Sequence, residues 1–298
     1  MPSKKVSAMI KPMKTIDIHT HGIGGYDTLS ADVTHILRIA EIQGSCGVLE
    51  IVLTIYPAVI SVMRENMEMI KKAMDIQNAA ITSGQAKILG VHLEGPFLNP
   101  ARCGSLNATT FIGPSEKPFR ELIEGFENMV KIITVAPELE GAFGLIKKIS
   151  AQGIIVSMGH SDATYEEAEK GFHAGAKGIT HLFNAMQGFH HRKPGIAGFG
   201  LLHKDIYIEI IADPYHLHQA TLELILRTKN PQRIIIVSDT VRESKTSLEE
   251  KAVTDSYGKL LGGGMTVLES AQRLIAMGYN EEMIKGCITE NPQRYLKN

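Results

Sequence analysis

Six polar side chains stand directly after short apolar segments, at the points where buried strands would end. They are His19, His21, Glu94, His160, His181 and Asp239. A carboxylate at the tip of a buried strand costs several kcal/mol if nothing offsets its charge. The neighbours that the sequence offers to Glu94 are histidines, and neutral imidazoles around a carboxylate form a good coordination shell for a divalent transition metal. The pattern predicts a metal-dependent hydrolase.

The spacing of these residues indicates how they would act together. His19 and His21 are two residues apart, and alternate residues of a strand point to the same face. With Glu94 and the other two histidines they could hold one or two divalent ions, which a carboxylate can bridge. Asp239 is placed to take up the proton that metal-bound water releases. One strand-end histidine alone is usually structural, whereas the whole set favours a site.

A separate cationic group surrounds Arg192 on two neighbouring loops. Its other members are His190, His191, Lys193 and His216. An arginine can bind phosphate through two hydrogen bonds, but a cluster of this kind can equally be a solvated turn. Asn184, on the loop before it, could contact a polar ligand or stabilise its own loop. From the residues alone, the group around Arg192 can be a phosphate site or a solvated turn, and Asn184 can be a ligand contact or a structural residue.

Composition narrows the class of protein. The net charge is −1 and the pI is near 6.9, so no overall basic charge favours nucleic acid or an anionic membrane. The cysteines Cys46, Cys103 and Cys287 are scattered, which is typical of reduced thiols in a cytoplasm. No apolar run approaches the roughly 20 residues of a membrane helix, and we recognise no secretory signal. We therefore expect a soluble cytoplasmic protein that binds neither nucleic acid nor a membrane.

Eight short apolar segments alternate with helical patterns along the chain. The predicted strands are residues 15–18, 48–54, 87–93, 131–135, 154–158, 178–180, 207–211 and 233–238. The predicted helices are residues 30–44, 59–83, 119–126, 138–151, 165–174, 217–227, 266–277 and 281–289. Ser30 or Asp32 is expected to cap the first helix, and Ser161 or Asp162 the fifth. Such alternation predicts an α/β fold, either a closed (β/α)8 barrel or an open doubly wound sheet.

The positions of the polar residues decide between these two folds. The candidate ligands and acids follow strands one, three, five, six, seven and eight, and only the mouth of a barrel brings so many strand ends around one point. We predict a TIM-type barrel that forms a single domain over residues 1–298.

Seven motifs in this order resemble those of the N-acetylglucosamine-6-phosphate deacetylases, a family of the amidohydrolase superfamily. They are His-Thr-His-Gly at 19–22, His-Leu-Glu-Gly-Pro-Phe at 92–97, Gly-His-Ser-Asp-Ala-Thr at 159–164, His-Leu-Phe-Asn-Ala-Met at 181–186, Arg-Lys-Pro-Gly at 192–195, Ala-Asp-Pro-Tyr-His at 212–216 and Val-Ser-Asp-Thr at 237–240. His-x-His alone would indicate only the superfamily, whereas the glutamate and Asn-Ala-Met motifs indicate the deacetylases. The resemblance extends along nearly the whole chain.

The resemblance implies roles for individual residues. The implied metal ligands are Glu94, His160 and His181 for the principal ion and His19 and His21 for a second. It makes Asp239 the catalytic acid and base. The implied substrate-binding residues are Ser105, Asn184, Ala185, Arg192 and His216, of which the arginine and His216 would meet a sugar phosphate. The expected cofactor is one or two divalent ions, with zinc first and iron, cobalt or manganese as alternatives, in a homodimer.

Some features depart from the family pattern. Family members usually carry a small β-sandwich beside the barrel, for which we find no segment here. The loop after Glu94 usually reads Gly-small-His, with a histidine that polarises the substrate carbonyl, but here it reads Gly104-Ser105-Leu106. Lys193 stands for a usual glutamate and Pro214 for a usual glycine.

The predicted reaction is hydrolysis of the acetamide of an N-acetylhexosamine 6-phosphate to the amino sugar phosphate and acetate. Two alternatives stay open. One is an amidohydrolase that acts on another acylated amine or a cyclic amide, and the other is a barrel that binds a sugar phosphate without turning it over.

Overall fold

The computed structural model describes residues 14–80, 84–245 and 252–297 and places eight strands in one sheet. The strands are β1 Ile16–Thr20, β2 Glu50–Ile55, β3 Lys87–Leu93, β4 Val130–Val135, β5 Ile155–Met158, β6 Gly178–Ile179, β7 Tyr207–Ile211 and β8 Ile234–Val237. Neighbours in the chain are neighbours in the sheet, and every pair is parallel. A parallel bridge between Thr20 and Thr240 joins the two edge strands, so the sheet curls into a barrel.

A helix follows each strand and covers the outside of the barrel. The helices are α1 Val33–Ser45, α2 Ile60–Ala79, α3 Glu116–Ile123, α4 Ala142–Ala151, α5 Tyr165–Ala174, α6 Gly195–Leu202, α7 Gln219–Thr228 and α8 Val267–Ala276, followed by α9 Glu281–Gly286 and α10 Glu290–Tyr295. The TIM-type barrel predicted from the alternation is therefore confirmed. None of the helices in the described ranges is long and apolar enough to cross a membrane.

The alternation of side chains along each strand separates two apolar clusters. In β8, Ile235 belongs to a smaller cluster with Tyr207, which fills the inside of the barrel. Its neighbours Ile234 and Ile236 belong to the larger cluster, which also holds residues of the surrounding helices such as Leu145. Burying both faces requires nearly continuous apolar strands, as in other all-parallel sheets. A polar side chain inside such a barrel therefore needs a specific partner.

Three predictions about the elements are wrong, besides shifts of up to four residues at the ends of helices such as α3 and α4. Thr164, and neither Ser161 nor Asp162, caps α5, because its hydroxyl accepts from the backbone of Glu167 while the Glu167 carboxylate accepts from the backbone of Thr164. The predicted helix 281–289 is too long: α9 ends at Gly286, and the separate helix α10 begins only at Glu290. Helix α6 was missed, because its glycine-rich sequence shows no polar face: seven of its eight residues are buried.

β-structure outside the barrel is limited in the described part of the chain. Gly22–Ile23 pairs with Tyr26–Asp27 after β1, and Val253–Thr254 pairs with Leu260–Gly262 after β8. These two hairpins do not form a β-sandwich. The end of the predicted helix 59–83 includes residues 81–83, which lie outside the described residues.

Candidate active site

The six strand-end residues of the sequence pattern meet at the mouth of the barrel. His19 lies in β1, Glu94 directly follows β3, and Asp239 comes two residues after β8. His160, His181 and Asp239 have positive φ angles of 47°, 29° and 48°. A left-handed backbone costs a non-glycine residue roughly 1–3 kcal/mol and is concentrated at functional sites. Three such residues in one cluster indicate that the directions of their side chains are maintained at the cost of local backbone strain.

Glu94 lies at the centre of the cluster. Its Oε1 atom is 3.0 Å from Nε2 of His181 and 3.1 Å from Nε2 of His160, and these two nitrogens are 3.2 Å apart. Around a tetrahedral zinc ion, bonds of about 2.0–2.1 Å place neighbouring ligand atoms about 3.3 Å apart. Two imidazole nitrogens and a carboxylate oxygen at these separations therefore fit one divalent ion.

A second group of possible ligands lies against the first. His19, His21 and Asp239 bring their ligand atoms within 4.8 Å of one another. Oδ1 of Asp239 is 3.4 Å from Nε2 of His19 and 3.5 Å from Nε2 of His21. The other carboxylate oxygen of Glu94, Oε2, is 3.1 Å from Nε2 of His21. Glu94 thus reaches both groups with different oxygens, as a carboxylate that bridges two ions must.

The electrostatics of the centre favour positive charge. Burial disfavours a charged ring at His19, but Asp239, Glu94 and a hydrogen bond with Glu209 outweigh it and hold the pKa of His19 well above its ordinary value. Burial also opposes ionisation of Glu94, yet His19 and His160 keep its pKa well below its usual range. Bound cations would offset the negative charge of this buried cluster, so the chemistry of the ligand set fits a divalent metal.

Two ligand rings are oriented by partners outside the cluster. Nδ1 of His160 lies 2.9 Å from the carbonyl oxygen of Arg102, to which it donates. Nδ1 of His19 lies 3.1 Å from Oε2 of Glu209. Such contacts fix which ring nitrogen is free to bind a metal.

Most predicted substrate-binding residues line one cavity of about 260 Å³ above this centre. They are Ser105, Asn184, Ala185 and His216. The ring of His216 is held through Nδ1, which is 2.9 Å from Oδ2 of Asp213. Leu106, at the position of the family's histidine, lines the same cavity. Asn184 donates weakly, at 3.3 and 3.4 Å, to carbonyl oxygens of its own loop, so it also stabilises that loop.

Arg192 does not join these residues. Its side chain is exposed on the loop before α6 and is not part of the cavity lining. The cation that does line the cavity is Lys259, at the edge of the hairpin after β8. This hairpin contacts the loop after β3, because the Ser105 hydroxyl donates to the carbonyl oxygen of Leu261 at 3.1 Å.

Three residues near the centre were missed by the sequence pattern. Tyr56 follows β2 and stacks on His21 with ring centroids 3.8 Å apart. Glu209 is hidden in the apolar run Tyr207-Ile208-Glu209-Ile210-Ile211, and Lys259 lies in an irregular polar stretch. Of these three residues, only Glu209 gave a signal in the sequence, because a charged residue inside an apolar strand is rare unless it has a partner.

The closed parallel barrel and the ligand cluster at its mouth define a barrel of the metal-dependent amidohydrolase kind. Within that class, the chain is related in sequence to the N-acetylglucosamine-6-phosphate deacetylases. It is 31% identical over 271 residues to the enzyme of that name from Vibrio furnissii, a match that covers 87% of this chain and 66% of the relative. It is also 31% identical over 227 residues to an N-acetylgalactosamine-6-phosphate deacetylase of Escherichia coli O157:H7, covering 76% of this chain and 59% of the relative.

A structural comparison agrees with the sequence relationship. The fold superimposes on an N-acetylglucosamine-6-phosphate deacetylase from Thermotoga maritima with a TM-score of 0.83 and 27% identity, over 96% of this chain and 78% of the other. No protein-family model matches the chain. The chain spans 59 to 66% of the length of the two curated relatives named above.

Proposed function

We propose that the chain hydrolyses the acetamide of an N-acetylhexosamine 6-phosphate, giving the amino sugar phosphate and acetate. The observation that carries this proposal is the meeting of Glu94, His160 and His181 with Asp239 at one cavity. The names of the sequence relatives supply the substrate class.

The chain's own residues suit the two proton transfers of amide hydrolysis. A divalent ion held by Glu94, His160 and His181 would act as a Lewis acid on the carbonyl and would make the attacking water more acidic. Asp239 accepts a proton from that water as its oxygen adds to the acetyl carbon. It returns the proton to the sugar nitrogen as the carbon–nitrogen bond breaks, so the amine leaves neutral together with acetic acid, which then loses its proton to give acetate. The partial exposure of Asp239, 15% of its side chain, lets it reach the substrate while its oxygen faces His19.

Residues of the cavity wall also suit an amino sugar phosphate. Asn184 and Ala185 border the space where the acetamide must enter, and His216 and Lys259 supply polar and cationic groups. Arg192 stays a candidate for the phosphate from the exposed loop before α6. Leu106 offers an apolar contact where a hydrogen-bond donor would assist the carbonyl, so the reaction depends more heavily on the metal here.

The proposal also includes the identity and number of the metal ions, the oligomeric state and the cellular location. Zinc is the proposed ion, because histidine nitrogens and carboxylate oxygens at tetrahedral spacing suit it, and the two ligand groups suggest two ions per chain. A homodimer and a cytoplasmic location with reduced thiols complete the proposal.

An assay of acetate release tests the proposed reaction. Purified, zinc-loaded protein is given N-acetylglucosamine, N-acetylgalactosamine and their 6-phosphates, and acetate and amino sugar are measured together. We expect equal amounts of both products from one or both 6-phosphates and much less from the free sugars. Release from the free sugars alone would point to a different acylated amine. No release from any of the four, with zinc bound, would favour a barrel that only binds the sugar phosphate.

A further inference from the structure

A buried carboxylate inside the barrel has no part in the proposed proton transfers. Glu209 lies in the middle of β7 and is 1% exposed. Its neighbours along the strand are apolar, and Tyr207 and Ile211 belong to the cluster inside the barrel. Burying an ionised carboxylate costs several kcal/mol unless a partner offsets it. The position of Glu209 therefore requires a physical reason.

The contact that Glu209 makes points to its partner. Its Oε2 atom is 3.1 Å from Nδ1 of His19, while its Oε1 atom has no hydrogen-bond partner among the described residues. A nearby buried histidine, His92, is already held at Nε2 by Thr134 at 2.8 Å and at Nδ1 by the carbonyl oxygen of Ile18 at 3.3 Å. Glu209 is therefore tied to His19 specifically.

This contact determines the tautomer of His19. A carboxylate can only accept a hydrogen bond, so Nδ1 of His19 carries the proton that is donated to Glu209. Of the two ring nitrogens, Nε2 is therefore the one whose lone pair can bind a cation. Nε2 faces Oε1 of Glu94 and Oδ1 of Asp239, each 3.4 Å away, and has no hydrogen-bond partner among the described residues. A buried ring nitrogen between two carboxylates is suited to binding a cation.

His19 and His21, the two histidines of the first motif, differ in whether a carboxylate contacts Nδ1 of the ring. Nδ1 of His21 is buried without a hydrogen-bond partner within the described ranges. His19 alone of the pair has a carboxylate behind it, which both orients the ring and makes Nε2 a stronger donor to a metal.

We propose that Glu209 is the positioning residue for His19 and thereby sets the affinity of the second metal ion. The inference rests on the proposed metal centre. It assigns Glu209 no direct contact with substrate. The competing explanation is that Glu209 only fills and stabilises the barrel interior.

A zinc titration of metal-stripped protein separates these explanations. We expect two ions in the unmodified protein, and we expect Glu209→Gln to weaken one of them by roughly 10–100-fold while the other is unchanged. Ser157→Ala serves as the matched control, because Ser157 is a buried polar residue of the barrel that donates to none of the ligands. This control should leave both affinities unchanged.

A double-variant cycle distinguishes positioning of His19 by Glu209 from a purely structural role of Glu209. In a His19→Ala background, Glu209→Gln should cause no further loss of zinc affinity, because the residue through which it acts is gone. Equal weakening of both ions, or a further loss in that background, would show that Glu209 acts through the barrel as a whole. Unchanged affinity for both ions, or a single ion in the unmodified protein, overturns the inference. No zinc binding at all overturns the metal centre itself.

One measurement does not depend on the variant folding. Nitrogen-15 NMR of the histidine rings in the zinc-loaded protein should find the proton of His19 on Nδ1. A proton on Nε2 of His19 would contradict the assigned role of Glu209.

Discussion

Oδ1 of Asp239 lies 3.4 Å from Nε2 of His19. Asp239 follows the last strand of the barrel, whereas His19 lies in the first. The contact depends on barrel closure, because the backbone amide of Asp239 donates to the carbonyl oxygen of His19 at 2.9 Å. The acid and the ligand are thus held together by the same backbone interaction that joins the sheet edges. The proposed proton transfer and metal binding would therefore both require a closed barrel.

The first prediction concerns the two ligand groups. Glu94→Ala should lower total metal content most, because Glu94 reaches both groups. His181→Ala and His21→Ala should each lower it by about one ion, since each removes one ligand from one group. Elemental analysis of the purified variants measures this. Lys193→Ala, an exposed change outside the cavity, is the control, and full metal content in all three ligand variants would sink the metal-centre proposal.

The second prediction concerns Arg192. Arg192→Ala should raise KM for the 6-phosphate several-fold and leave the free sugar little changed, because a guanidinium that binds phosphate contacts only that remote group. Lys193→Ala again serves as the control, since it removes a neighbouring exposed charge. Equal losses on both substrates would mean that Arg192 supports its loop instead.

Lys259 provides a third prediction of the same form. Because it lines the cavity, Lys259→Met should also raise KM selectively for the 6-phosphate. No change in KM would indicate that the lysine points to solvent during the reaction. A selective effect at Lys259 without one at Arg192 would place the phosphate beside the hairpin after β8.

The fourth prediction concerns Leu106. Leu106→His places a hydrogen-bond donor in the cavity wall and should raise kcat/KM about tenfold, a part of the 10²–10³-fold that a well-placed donor contributes. Leu106→Ala, which only shortens the side chain, should not do so. If Leu106→His is no faster, the carbonyl is already polarised fully without that donor.

The fifth prediction concerns the pH dependence of stability. Lys229 is buried and donates to the carbonyl oxygens of Gly200 at 2.7 Å and His203 at 2.6 Å. Burial, with a smaller effect of Arg233, lowers its pKa from 10.5 to about 7. Between about pH 7 and 10.5 the unfolded chain then binds more protons than the folded chain, so this group makes stability rise with pH across that window.

Thermal unfolding at a series of pH values checks the sign. The melting temperature of the unmodified protein, minus that of Lys229→Met, should increase from pH 7 towards pH 10. A difference that stays flat or decreases would show that the two carbonyl contacts keep the ammonium charged.

The sequence was sufficient for the parts of the molecule whose signal is local. Strand β3 and helix α5 were predicted with their observed bounds, because a continuous apolar run and a helical pattern between polar turns are local signals. The strand-end residues were found by the same logic, since parallel strands of a barrel all end at one face. Their common location around Glu94 followed from the fold.

The other features of the fold and of the candidate site depend on contacts between distant parts of the chain, which no local sequence pattern reveals. Helix α6 shows no polar face because it is buried on nearly all sides, and that depends on its neighbours. Glu209 looks like an isolated charge until the closed barrel brings β7, which is separated from β1 only by β8, within reach of His19. The exposed position of Arg192, and the presence of Lys259 at the cavity, depend on loop geometry between strands. The sequence therefore predicts the candidate metal ligands, which the strand ends position, better than it predicts the cavity wall, which distant loops build.

The proposed reaction requires Asp239 to act at an intact metal centre, so Asp239→Asn is the decisive variant. Its amide keeps the shape and accepts a hydrogen bond, but it cannot take a proton at neutral pH. Acetate release from N-acetylglucosamine 6-phosphate is measured for both proteins at equal, verified zinc content. We predict steady release by the unmodified protein and a loss of roughly 10² to 10⁴ in kcat for the variant, with KM changed much less. Near-normal kcat in the fully zinc-loaded variant would contradict the account.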